Sequence, residues 1–200
     1  MEPASSTKTW KKIPVSDCVK RTHNPIRGWV ETFLSKVTPN PKKSPIVFTV
    51  GDPVVYPGFE PSNRCLQIFA DSIMENGHKS AAEADLKARK YLAELYSTNR
   101  FALTEDDIFL ESGCSGALMA AQLALADPGD IVLLPKPGFP LMQAICEERG
   151  VIMKYYSLDP DRDWEIDMKE LESKLRLKPK FLLVNNPSNP LGAVWTEKHI

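Results

Sequence analysis

The sequence predicts an α/β fold: a mostly parallel sheet with helices on both faces, preceded by an irregular amino-terminal arm. Three observations predict it. From residue 107 onward, short apolar runs alternate with stretches of helical periodicity, the order that parallel strands with crossover helices produce. The runs are strongly apolar, as strands covered on both faces are, rather than strictly alternating. Each run closes in a turn-forming segment: Glu111-Ser112-Gly113-Cys114-Ser115-Gly116, Pro135-Lys136-Pro137-Gly138-Phe139-Pro140, and Asn185-Asn186-Pro187-Ser188-Asn189-Pro190-Leu191-Gly192. Such loops at the carboxyl ends of strands are where open α/β sheets bind ligands.

In chain order, residues 1–61 are rich in proline and lack regular periodicity. Asn24-Pro25-Ile26-Arg27 begins an arm, residues 28–37 read as a short helix, and residues 38–45 carry Pro39, Pro41 and Pro45 as a linker. Residues 46–50 read as a strand closed by Gly51-Asp52-Pro53. After Ser62, Leu66, Phe69 and Ile73 recur at helical spacing until Gly77. A second helix over 81–96 is expected to bury Ala88, Leu92 and Leu95. A strand at 108–110 leads to an apolar helix over 116–126, ended by Pro128-Gly129. Residues 131–134 form the next strand, 140–149 a helix stopped by Gly150, and 151–156 a third strand. Asp167 with Glu170 makes a capping-box start for a helix through Leu175. Residues 180–184 are the fourth strand, and a further helix begins at Thr196.

Charge and composition exclude several classes. With 25 basic and 26 acidic residues the net charge is −1, so no nucleic-acid partner is expected. No apolar run approaches the roughly 20 residues that cross a bilayer, so no membrane partner is expected either. Four scattered cysteines and three histidines give no ligand spacing for zinc, and reduced thiols in the cytoplasm are expected. The Ser, Thr and Lys content of the first residues leaves a mitochondrial address as the alternative.

The strand-end loops carry the candidate chemistry. In Gly113-Cys114-Ser115-Gly116, glycines admit a ligand close to the backbone, free amides point outward, and the helix dipole favours an anion. The glycine spacing is neither the dinucleotide fingerprint nor a P-loop, and the competing role is a structural cap. Phe139 can stack on a planar ring or plug the core. Asn189 can donate its amide to a ring oxygen or cap an Asx turn. Cys114 reads as a packing residue rather than a nucleophile, His23 and His78 as surface residues, and Asp163 with Glu165 as a solvated strand edge.

Together with Gly51-Asp52-Pro53 and Asp163-Trp164-Glu165-Ile166-Asp167, the Asn-Pro-Ile-Arg arm and the three loops resemble the tyrosine aminotransferase family. These are pyridoxal-5'-phosphate-dependent transferases of fold type I. The resemblance covers about residues 22–200. It implies an incomplete aspartate-aminotransferase-like fold, with 1–61 as an arm and part of a small domain and 62–200 as a partial cofactor-binding large domain. It implies amino transfer from tyrosine or another aromatic amino acid to a 2-oxo acid, in a homodimer when complete. Gly113, Cys114 and Ser115 would hold the cofactor phosphate, Phe139 would stack on its ring, and Asn189 would bond its phenolic oxygen. Gly51 would meet the substrate carboxylate, with Asn24 and Arg27 near the partner subunit's site. Asn189–Pro190 and Lys136–Pro137 are then expected in cis.

Two departures qualify the resemblance. After Asn76-Gly77 the family usually has a tyrosine, where this chain has His78. The family's cofactor-binding lysine, its pyridine-nitrogen aspartate and its substrate-clamping arginine all lie beyond the position of Ile200. No catalytic residue is therefore assigned in this chain, which is expected to be an inactive amino-terminal half. The alternatives are another fold-type I enzyme (an alanine or kynurenine aminotransferase, or a carbon–sulfur lyase) and a non-catalytic module binding a partner subunit.

Overall fold

The structure, a computed structural model, describes residues 13–23, 25–44, 46, 51–77 and 82–200, with the backbone alone for 26, 27, 55, 76 and 82–84. It divides into two compact units. One comprises Met1–Gly28 with Leu118–Ile200, the other Trp29–Ala117.

The first unit is built on a sheet. Strand β1 (Ile131–Lys136) pairs in parallel with β2 (Ile152–Asp159), Ile131 opposite Ile152 and Lys136 opposite Ser157. On the other side of β1, residues 180–184 make one parallel bridge, Leu133 to Leu182. Three backbone bonds accompany it: Lys180 N–H to Ile131 O, Leu133 N–H to Phe181 O, and Leu183 N–H to Leu133 O. The expected fourth strand is thus present as an attached segment with a single ladder position. β3 (Glu165–Ile166) pairs antiparallel with β2 over two positions, Leu158 opposite Ile166 and Asp159 opposite Glu165, so the sheet is mostly parallel, as expected, with one short antiparallel edge. The reversal follows from the tight turn before β3, in which Asp163 and Trp164 have φ of 49° and 61° and turn the chain back on itself.

β1 is covered on both faces, as its apolar run predicts. Val132 and Leu134 pack with Met142, Ile145, Cys146 and Val151 beneath α6 (Leu141–Arg149). Leu133 points the other way, into Tyr156, Leu158, Leu171 and Trp195, on the side of α7 (Met168–Leu175). All three β1 side chains are almost fully buried, each removal from water contributing about 1.5–3 kcal/mol. Gly150 ends α6 in the left-handed conformation at φ 74°. Asp167 caps α7 as expected, accepting from the amides of Lys169 and Glu170. The capping box does not close, because Glu170 Oε2 instead accepts from the Ser157 amide of β2 at 2.8 Å. A bond to a strand amide ties α7 to the sheet. The five-residue α1 (Asp17–Arg21) is tied to the end of α6, its Arg21 Nε donating to Glu147 O at 2.8 Å.

In the second unit, α2 (Pro25–Lys36) crosses the division between the units at Gly28. α3 (Asn63–Asn76) starts on Ser62, whose hydroxyl accepts from the Cys65 amide at 3.2 Å. In α4 (Ala82–Tyr96), Ala88 and Leu92 are partly buried and Ala93 is buried, but Leu95 is exposed, against expectation. Ala93 takes the inward position, two residues earlier. Residues 108–110 form no strand, contrary to expectation; they run extended between a 3-10 turn at Glu105–Asp107 and helix α5 (Gly113–Leu125) without a neighbouring strand. The expected strand at 46–50 falls largely outside the described residues; Ile46 itself is not in a strand. At Thr196 the chain makes a hydrogen-bonded turn rather than a helix, with His199 N–H bonded to Thr196 O.

Candidate cofactor site

α5 begins at Gly113, earlier than the expected position 116, and Gly113 has φ 70°, a conformation that glycine adopts without strain. The first amides of a helix have no intrahelical acceptor. Those of Gly113, Cys114 and Ser115 bond to no other described residue. Cys114 is exposed, so its expected packing role does not hold. The Glu111 carboxylate lies beside this turn. Glu111 Oε2 accepts from the Ser112 amide at 3.2 Å and would lie 3.0 Å from a Cβ placed on Gly116. A carboxylate has settled where the loop's geometry favours an anion.

In the first unit, β1 and the parallel segment 180–184 end at the same sheet edge. Phe139 follows the first and Asn189 the second. Phe139 is 41% exposed, so it does not plug the core. The Lys136–Pro137 and Asn189–Pro190 peptides are cis, as expected, and so is Asn186–Pro187. The asparagines divide their tasks. Asn185 Oδ1 accepts from the Asn189 amide at 2.8 Å, and its Nδ2 donates to Pro187 O at 3.1 Å. Asn186 Oδ1 accepts from the Trp195 amide at 3.0 Å. The Asn189 side chain forms no hydrogen bond to a described residue, so the turn-capping role considered for it belongs to Asn185.

Gly51 lies in an exposed, irregular stretch of the second unit, and a Cβ there would meet nothing within 4 Å. Arg27 lies in α2 with its side chain outside the described atoms; Asn24 and His78 lie outside the described residues. His23 is exposed, as expected, with Nδ1 3.4 Å from Glu147 Oε2. Burial pushes the Glu147 carboxyl up, but the Gln143 side chain and the His23 amide and ring bring it below its ordinary value. Asp163 is exposed, whereas Glu165 is half-buried between Arg162 and His199 rather than a free strand edge. The deepest thiol, Cys146, is pushed up to about 11 by burial and by Glu147.

Two features escaped the sequence reading. Glu111 was one of them; an acid beside a glycine turn gives no local sign of folding onto the helix. His199 was the other. Its side chain is 8% exposed, its Nε2 accepts from the Ile166 amide at 3.0 Å, and its ring meets Trp195 edge-on. A cavity of about 400 Å³ is lined by residues 163–165 and 191–196. It includes none of Gly113, Phe139 or Asn189, and its lining is the β3 turn and the segment after the Asn-Pro repeat.

Residues 48–200 match the aminotransferase class I and II family. The chain belongs to the class I and II aminotransferases. It is 37% identical over 193 residues to tyrosine aminotransferase of Homo sapiens, covering 96% of this chain and 42% of that protein. Among solved structures it is similar to alanine aminotransferase from Pyrococcus furiosus, with TM-score 0.79 and 27% identity over 92% of this chain and 47% of that one. Tyrosine aminotransferase from Leishmania infantum superposes with TM-score 0.79 over 96% of this chain and 48% of its own. At 23% identity that likeness shows the fold. This aminotransferase chain therefore spans less than half the length of these relatives, and its α/β architecture is that of their fold.

Proposed function

We propose that this chain binds pyridoxal 5'-phosphate and serves an aminotransferase that moves the amino group of tyrosine, or another aromatic amino acid, to a 2-oxo acid such as 2-oxoglutarate. The observation that carries the reading is the first turn of α5, with three amides lacking acceptors among the described residues. These residues fit a phosphate: outward amides and a helix amino terminus hold an anion. Cys114 and Ser115 supply amides and a hydroxyl, Phe139 offers an exposed ring face, and Asn189 offers an uncommitted side-chain donor. Gly51, Asn24 and Arg27 are assigned to the substrate carboxylate and the partner subunit's site. The bound cofactor would supply the electron sink that amino transfer needs. The chain's own groups would hold its phosphate and orient its ring.

The complete enzyme is proposed to be a cytoplasmic homodimer. The 200-residue chain by itself is proposed not to transaminate, because none of its lysines stands in the family's cofactor-binding motif. Titration of the chain with pyridoxal 5'-phosphate, followed by phosphorus NMR and tryptophan quenching, is expected to show weak saturable binding. Ser115→Ala and Asn189→Ala should each weaken it. Binding that ignores both substitutions, or amino transfer by the chain alone, would overturn the assignment. Carbon–sulfur cleavage without amino transfer in the enzyme that contains this segment would point to the lyase reading.

A further inference from the structure

Glu111 stands outside every role proposed above. It lies in the extended stretch after Ile108 and folds back over the first turn of α5. Besides the 3.0 Å approach of its Oε2 to a Cβ placed on Gly116, its own Cβ would stand 3.2 Å from that atom and its Cδ 3.6 Å. Glycine at 116 is thus what makes room for the folded carboxylate; a side chain there forces Glu111 to shift. The only described amide that Glu111 engages is that of Ser112, so the amides of Gly113, Cys114 and Ser115 stay free. The carboxylate stands at the positive end of α5 as a charge, without satisfying the cradle's donors.

We propose that Glu111 is a built-in competitor for the anion, setting the affinity of this cradle for phosphorylated ligands. The inference rests on the cradle reading given above. A phosphate dianion entering the turn meets the Glu111 carboxylate within about one helical turn, roughly 5 Å. Between a single and a double charge at that separation in water, the repulsion amounts to about tenfold in affinity at low salt. It shrinks as the screening length falls below the separation. The phosphate must therefore displace the carboxylate or bind against it. Removing the charge tightens binding of any phosphorylated ligand and leaves an unphosphorylated one alone.

The test compares the 200-residue chain with Glu111→Gln and Gly116→Ala, each checked by far-UV circular dichroism. Inorganic phosphate, pyridoxal 5'-phosphate and unphosphorylated pyridoxal are titrated by phosphorus NMR or calorimetry at low and high salt. The expected result is about tenfold tighter binding of both phosphorylated probes to E111Q at low salt, a smaller gain at high salt, and no change for pyridoxal. G116A, which pushes Glu111 aside, should shift affinity in the same direction. Equal or weaker phosphate binding by E111Q, with measurable binding in both proteins, overturns the competitor role and leaves the cradle standing. No phosphate or cofactor binding in either protein overturns both.

Discussion

Tyr156→Phe removes one oxygen atom and tests what holds the segment that delivers Asn189. Tyr156 lies on β2, has no exposed surface, and donates its hydroxyl to Leu183 O at 2.7 Å across the intervening β1. Burial pushes that hydroxyl's pKa up to about 12, so it remains a donor throughout the neutral range. Residues 180–184 have only one ladder bridge, so this side chain is a substantial part of their attachment. Phenylalanine keeps the ring and its packing but leaves a partly buried carbonyl without its partner. The cost is about 1–2 kcal/mol, the sum of a lost bond and an unsatisfied acceptor. In native-state hydrogen exchange, about 1.4 kcal/mol corresponds to roughly tenfold less protection. The Lys180 and Leu183 amides, bonded to Ile131 and Leu133 of β1, should lose that much, with a matching fall in urea midpoint. Tyr155→Phe is the control, because its hydroxyl reaches only Met153 Sδ at 3.7 Å, a weak acceptor. Its effect should stay within about 0.5 kcal/mol. Equal protection of these amides in Y156F and the parent chain would refute the strut role; equal losses in both variants would show that ring environment, not the bond, matters.

Two further outcomes follow from burial and charge. The Glu170 carboxyl is held below its ordinary value by hydrogen bonds from the Ser157 side chain and amide and by Lys174, which outweigh burial and Asp167. A folded value below the unfolded one means full stabilisation above about pH 4.5, lost as pH falls through the lower folded value. Urea midpoints measured from about pH 6 down to about pH 3 should therefore fall less steeply in Glu170→Gln than in the parent chain, and parallel acid limbs would contradict the linkage. On α3, Leu66, Phe69 and Ile73 recur at helical spacing yet are 50%, 67% and 52% exposed. An apolar stripe of that kind favours self-association. Sedimentation should show concentration-dependent assembly that Phe69→Glu reduces; a monomer at all concentrations would show that the stripe is inert.

What was legible in the sequence was local. Ser62 and Asp167 announce helix starts because their side chains meet amides two or three residues on, and Gly150 announces a stop because only glycine takes that turn freely. Phe139 and Asn189 were placed at strand ends because strands and turns alternate visibly. What was not legible depends on partners distant in the chain. Residues 108–110 have strand-like composition, but a strand exists only by pairing, and no described segment lies alongside. Glu170 had a local partner available at Asp167 and chose Ser157, 13 positions away. Leu95 and Ala93 differ by two positions on one helix, and which faces inward is decided by what α4 packs against. His199 looked unremarkable because its acceptor role for Ile166 spans 33 positions.

Asn185, Asn186 and Asn189 carry identical side chains within five positions, so composition cannot assign them different work. The fold does so by use. Asn185 is consumed twice, by the Asn189 amide and by Pro187 O, and Asn186 is consumed by Trp195. Substituting either would release a turn. Asn189 is bonded only through its backbone, which orients its side chain without occupying it. The same subtraction applies at α5, where Gly113, Cys114 and Ser115 keep free amides while Ser62 closes the corresponding position of α3 with its own hydroxyl. Ordinary helix starts satisfy their donors locally because leaving them open costs stability. An exposed turn that leaves them open is available to an anion from outside, the role proposed above for this one.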